Sequence, residues 1–211
     1  MALFEKRPIL TSGAPAYTIG TRRTILVIAL GNPESKYRDT RHNVGFKVID
    51  EFAKINDFPN WVSKKDLMAD LSMQDLGESR VILAKPDTYM NNSGEAGRAI
   101  QRFYRVYNPQ TLAVYDELAI PFGQIRTRAG GSDAGHNGVK SLIQHLGDDF
   151  GRVRIGVGNA ESSSRDSADF VLAKFTKEEQ GSLPKILREA AALITEYIFG
   201  GQLPHDTRTV V

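Results

Sequence analysis

Few side chains in this sequence are suited to chemistry, and they are unusually grouped. There are four histidines in 211 residues. Two of them are followed directly by asparagine, in "TRHNVGF" at 40–46 and "DAGHNGVK" at 133–140. An imidazole near its reference pKa of about 6.5 can take a proton from water at neutral pH if a carboxylate fixes its tautomer. Asp116, at the end of the apolar run "TLAVYD", is a candidate for that carboxylate. Asn32 and Asn91 each follow an apolar run, and an asparagine amide can donate to a carbonyl while accepting from an N–H. Without an activated side-chain nucleophile, direct attack of water on an ester carbonyl is the simplest reaction for such a set.

Other chemistries find less support. The chain has no cysteine, which removes thiolate catalysis, disulfides and sulfur-based zinc sites. No G-x-S-x-G elbow occurs, and Ser93 in "NNSGEAG" fits a helix start better than a nucleophile. "AGGSDAGHNG" lacks the Gly-Lys-Ser/Thr of a P-loop, and "GVGNAE" lacks the dinucleotide fingerprint. A metal would have to use His42, His136, Asp116 or Asp133, which show no H-x-x-x-H or H-x-E spacing. Neither a metal nor a cofactor is therefore expected. The net charge of +2 permits an anionic partner without requiring one. No apolar run approaches membrane-spanning length, so no membrane partner is expected.

The elements that must position these residues follow from periodicity. "TILVIAL" (24–30) reads as a buried central strand, and a helix follows with the stripe Val44, Val48, Phe52 and Ile55. Asn43 stands at the N-cap of that helix. "ADLSMQDL" and "RVILAKP" form a hairpin pattern. Asn92 and Glu95 have capping-box spacing ahead of a helix facing inward through Ala96, Ile100, Phe103 and Tyr107. "TLAVYDE" reads as a strand ending at Asp116, and "GQIRTRAGG" as a half-exposed one. Asn137 opens a helix carrying Val139, Leu142, Ile143 and Leu146, and "GRVRIGVG" is a further strand. The polar loop "NAESSSRDSAD" comes next. Thr176 and Glu179 open the last helix, whose face is Leu183, Ile186, Leu187, Ala190, Ile194 and Ile198, with Pro184 bending it or delaying its start.

This alternation predicts an α/β fold, a single three-layer α/β/α domain around a twisted mixed sheet. The domain spans 24–200, between a flexible leader at 1–23 and a C-terminal tail at 201–211. The polar stretch 159–169 and the last helix are expected to form a mobile rim. In open α/β sheets ligands gather beyond the carboxyl ends of the strands, where helix N-termini also offer donors. Asn32, His42, Asn91, Asp116 and Asn137 could therefore share one cleft. Each also has a plainer reading. Asn43, Asn92 and Asn137 can be caps, and Asp116 can be a turn residue. His136 can bond within its loop, His145 can lie on a solvated face, and His205 carries no signal. Arg126, Arg128, Lys140 and Arg154 can be ordinary surface. Residue types and spacing alone stop at an α/β domain of hydrolase type.

Four segments take the reading further. "LVIALGNPESKYRDTRHNVGF", "KPDTYMNNSGEAG", "VYDELAIPFGQIRTRAGGSDAGHNGVKSL" and "FGRVRIGVG" resemble, in order and spacing, the bacterial-type peptidyl-tRNA hydrolase family. The resemblance covers roughly residues 24–199. It implies cleavage of the ester between a peptide and the 3′-terminal ribose of tRNA, recycling tRNA from aborted translation. His42 would be the base for water, Asp116 its orienting carboxylate, and Asn32 and Asn91 active-site amides. Tyr37, Met90, Asn91 and Asn137 would bind substrate. Arg128 and Arg154 would clamp the 5′ phosphate of the tRNA, with Arg126 and Lys140 extending that patch. A cytoplasmic monomer acting on peptidyl-tRNA is expected, or an organellar one if residues 1–23 are a targeting segment. Two departures stand out. Ser132, Asp133 and Ala134 replace glycines often found in the family, and the leader is longer than usual. The competing expectation is a non-enzymatic RNA-binding relative, similar to plant chloroplast splicing factors of the same fold. A generic small-ester hydrolase is a third, and would not need the arginine clamp.

Overall fold

A computed structural model describes residues 22–160, 162 and 166–211. Most of the expected leader, residues 1–21, thus lies outside the described residues. Arg23 already belongs to the first strand, β1 (Arg23–Ala29), and Arg22 pairs with Asp75. The other strands are β2 (Val62–Lys64), β3 (Ala69–Leu76), β4 (Ser79–Pro86), β5 (Thr111–Pro121), β6 (Gln124–Ala129), β7 (Gly151–Gly158) and β8 (Asp206–Thr209). They form one mixed sheet in the order β2-β3-β4-β1-β5-β7-β6-β8. The centre is parallel, with β1 between β4 and β5 and β7 beside β5. The hairpin expected of β3 and β4 is antiparallel, as are the pairings of β6 with β7 and β8.

Helices α1 (Val44–Ile55) and α5 (Lys177–Gly200) pack on one face of the sheet, and α2 (Ser93–Tyr104) and α3 (Asn137–Leu146) on the other. Residues 25–29 of β1, and Leu30 just after it, are all fully buried because both layers cover that strand. Each large aliphatic side chain buried there contributes about 1.5–3 kcal/mol. Consecutive residues of β1 alternate between the two cores, so the apolar run is a central strand. Gly45 lets α1 sit directly on the sheet: a Cβ there would lie 2.4 Å from the Val114 carbonyl oxygen and 2.7 Å from that of Leu30.

Several local expectations change. β5 does not stop at Asp116 but continues to Pro121, paired with β7 across an irregularity. The Asn92–Glu95 capping box does not form, since Asn92 makes no side-chain cap bond. Phe103, in the last turn of α2, is 68% exposed, and Tyr107 is 71% exposed because α2 ends at Tyr104 with Arg105 left-handed and the periodic face is broken there. Ile55 likewise leaves its stripe at the last turn of α1. The Thr176–Glu179 capping box of α5 does form. Pro184 lies inside α5 without delaying its start. The expected polar loop, 159–169, ends early: its last three residues open a short helix, α4 (Ser167–Leu172), capped by the Asp166 side chain. The expected tail contains β8, which forms the outer sheet edge. Among the described residues no helix is long and apolar enough to cross a membrane.

Candidate active site

The N-terminal ends of α1, α2 and α3 converge beyond the carboxyl ends of β1 and β4, beside Asp116 on β5. His42 lies in a 3-10 turn, Arg41–Asn43, leading into α1. Its Nδ1 is 2.9 and 3.0 Å from the two carboxylate oxygens of Asp116. A carboxylate only accepts, so Nδ1 carries the proton and Nε2 is left as the acceptor. His136 approaches the same carboxylate, with Nε2 3.0 Å from Asp116 Oδ1. Its Nδ1 accepts from the Gly138 and Val139 N–H groups at 3.1 and 3.3 Å, making His136 the cap of α3. The tautomer of His136 is thereby fixed, with the proton on Nε2. The expectation that His136 supports its loop thus extends to a direct bond with Asp116.

The electrostatics follow from this arrangement. Burial works to raise the Asp116 carboxyl, but the two histidines outweigh it and hold Asp116 well below the usual carboxylate range. Burial works to lower the His42 imidazole, yet the charge and hydrogen bond of Asp116 prevail and raise it above its ordinary value. His42, Asp116 and His136 also have the mutual spacing of a three-ligand cation site. Their hydrogen bonds argue against that use. His136 Nε2 could offer a lone pair only by moving its proton to Nδ1, where two N–H groups already point.

The asparagines divide between frame and cleft. Asn43, expected to cap α1, makes no cap bond with its side chain. Its amide instead bonds both backbone groups of Asn32, accepting from the N–H and donating to the carbonyl at 2.9 Å each. The physical reason is burial: two backbone groups of the β1–α1 loop would otherwise lack partners. Asn32 in turn accepts the Met90 N–H on Oδ1 at 2.9 Å. This fixes the orientation of its amide and leaves Nδ2 as a donor at the cleft. Asn91 and Asn137 are exposed, and both line a cavity of about 450 Å³ with Asn32, His42, Met90 and Asp116. Tyr37 is not among the lining residues. Tyr89 is, and its hydroxyl bonds Glu34. No spacing rule singled out Tyr89, which had only its proximity to Met90 to mark it.

Ser167, Ala168, Val171 and Leu172 of α4 form the opposite wall of the cavity. The turn holding His42 is tied to this wall through buried Arg41. Its backbone N–H donates to Ala173, and its guanidinium bonds the Lys174 carbonyl and Glu179 at 2.7 Å each. Phe170 packs beneath the guanidinium at 4.4 Å.

Arg126 and Arg128 lie two apart on β6, opposite Arg154 and Arg152 on β7. Side chains two apart share a face, so four guanidiniums stand on one face of this end of the sheet. Glu117 is 3.8 Å from Arg154. Burial, with Arg128 and Arg126 nearby, lowers the Arg154 guanidinium against the pull of Tyr115 and Glu117. Lys140 is exposed on α3. The sequence does not mark Arg152 as functional, although its alternation with Arg154 is visible in "GRVRIGVG".

The sequence model of the peptidyl-tRNA hydrolase family matches residues 26–209. A peptidyl-tRNA hydrolase of Gloeobacter violaceus is 47% identical over 163 residues, 77% of this chain and 81% of that protein. Its counterpart in Lachnoclostridium phytofermentans is 42% identical over 167 residues, covering 79% of this chain and 86% of that one. The crystal structure of peptidyl-tRNA hydrolase from Acinetobacter baumannii superposes with a TM-score of 0.74 at 31% identity, covering 85% of this chain and 93% of that chain. With a family match over most of its length and relatives above 40% identity, this chain belongs to the peptidyl-tRNA hydrolase family.

Proposed function

We propose that this protein hydrolyses the ester between the peptide and the 3′-terminal ribose of peptidyl-tRNA, with His42 as the general base for water. The observation that carries the reading is the His42–Asp116 pair. With Nδ1–H committed to the carboxylate at 2.9 Å, the unprotonated Nε2 is available to water in the cleft. As water attacks the ester carbonyl, its proton passes to Nε2, and Asp116 stabilises the imidazolium that forms. The negative charge that develops on the carbonyl oxygen is met by amide donors, for which Asn32 Nδ2 and the Asn91 side chain are the candidates. One such donor contributes about 3–4 kcal/mol to the transition state. The proton on His42 then goes to the departing ribose oxygen.

In this reading Met90 and Asn137 bind the substrate beside the reacting ester. Arg126, Arg128, Arg154 and Lys140 hold the RNA phosphates, with Arg128 and Arg154 nearest the 5′ end. Arginine suits this role because its planar fork can bind a phosphate through two bonds. The reading also takes the protein to act as a cytoplasmic monomer.

Single-turnover hydrolysis of a peptidyl-tRNA by wild type and His42→Ala tests the assignment. Rapid cleavage by wild type and near-complete loss in the variant are expected. Equal rates would sink the general-base role. An inactive wild type that still binds tRNA would favour an RNA-binding protein without hydrolase activity. A salt titration of tRNA affinity should show a steep slope; a flat one would remove the phosphate contacts from the reading.

A further inference from the structure

Arg152 is fully buried on β7, and no carboxylate among the described residues lies within ion-pair distance of it. A charge so placed is costly unless its donors are used. Arg152 uses its two terminal nitrogens on backbone carbonyls: Nη1 donates to Ser132 at 2.6 Å, and Nη2 to Gly131 and, at 3.4 Å, to Asp148, while Nε has no partner among the described residues. The ring of Phe150 supports the guanidinium at 4.7 Å.

The loop gripped in this way links β6 to α3 and has an unusual backbone. Gly130, Gly131, Ala134 and Gly135 adopt φ of +67°, +103°, +50° and +84°. Ala134 is held there against its own preference. On one side of the grip stands Arg128, whose Nη2 shares the Ser132 carbonyl at 3.2 Å. On the other side stand His136, bonded to Asp116, and Asn137, which lines the cavity.

We propose that Arg152 is a positioning residue that sets the RNA-facing arginines and the His136–Asn137 wall of the cleft in one register. Grip on the RNA and assembly of the cleft are then fixed by the same buried guanidinium. The proposal rests on the hydrolase reading above, and it adds a connection between the two halves of that site.

The test measures two constants in each variant, tRNA affinity and the single-turnover rate at saturating enzyme, with melting curves to establish the folded fraction. Arg128→Ala should weaken affinity by far more than it slows the rate. His136→Ala should slow the rate and spare affinity. Arg152→Lys keeps the charge but loses the fork, and should degrade both constants by about tenfold each. A folded Arg152→Lys protein with either constant unchanged would overturn the coupling, as would losses no larger than the unfolded fraction explains. If Arg152→Lys does not fold, Gly131→Ala disturbs the loop from its other side, where a Cβ would meet the Arg128 guanidinium. Its rate is then the diagnostic: a slowed rate supports the proposal, and an unchanged rate overturns it. Wild-type inactivity on peptidyl-tRNA would sink the hydrolase reading and this proposal with it. An active wild type beside an unaltered Arg152→Lys enzyme sinks this proposal alone.

Discussion

The His42–Asn43 and His136–Asn137 doublets both stand at the start of a helix, but they face opposite ways. In the first, Asn43 is buried and holds the backbone of Asn32, while His42 keeps Nε2 toward the cleft. In the second, His136 is committed at both nitrogens, and Asn137 is the exposed partner in the cavity wall. The helix geometry explains the exchange. Asn43 and His136 are the cap-position residues of α1 and α3, and each turns inward. Their neighbours, one residue before or after, line the cavity. A shared dipeptide offset by one position at the helix start thus puts a histidine into the cleft in one case and an asparagine in the other, the proposed base and the proposed substrate contact.

The largest expected contrast is between the histidines. His42→Ala should lower kcat by about 10³-fold with tRNA affinity retained. His136→Ala should lower it only about tenfold, because it removes one of the two donors to Asp116 and leaves the base in place. Comparable losses in steady-state assays would mean that the two rings are not divided as described. Next comes the contrast between the asparagines. Asn43→Ala abandons two buried backbone groups of Asn32 and should cost about 2–4 kcal/mol of stability, read by urea unfolding. Asn137→Ala should leave that midpoint unmoved, since its side chain makes no hydrogen bond within the described residues. Its effect belongs in KM, which should rise several-fold at constant kcat.

The pH profile offers a finer test. As the proposed base His42 would act only when unprotonated, and Asp116 raises its pKa despite burial. The rate should therefore fall as pH drops through a midpoint above the ordinary imidazole value of about 6.5. In His136→Ala, Asp116 loses a competing donor and acts more fully on His42, so the midpoint should move further up. A downward movement would show that His136 acts on His42 by some route other than the shared carboxylate.

Much of this contrast was legible in the primary structure, and the missing part has a common cause. "TILVIAL" and the β3–β4 hairpin show through their apolar patterns, and Thr176–Glu179 through a local capping rule. His42, Asp116 and the cleft asparagines could be singled out by type and position. What escaped depends on partners distant in the chain. Nothing near Asn43 reveals that its amide serves Asn32, and nothing in "GRVRIGVG" tells the buried Arg152 from the less buried Arg154. The segment "DTRT" carries no apolar alternation, so β8 is stabilised by its pairing with β6 and by Arg208 reaching Glu189 and Glu196 on α5.

The Met90 N–H that fixes the Asn32 amide also bears on how a reaction ends. With Oδ1 turned to the Met90 N–H, Asn32 presents its Nδ2 donor to whatever lies in the cleft. After hydrolysis the departing peptide ends in a carboxylate, an acceptor with more negative charge than the ester it replaces. That product meets the same fixed donor, and at low pH it also meets an imidazolium at His42. With His42 as the proposed base, acidity would penalise turnover twice, by titrating that base and by prolonging the stay of the peptide acid.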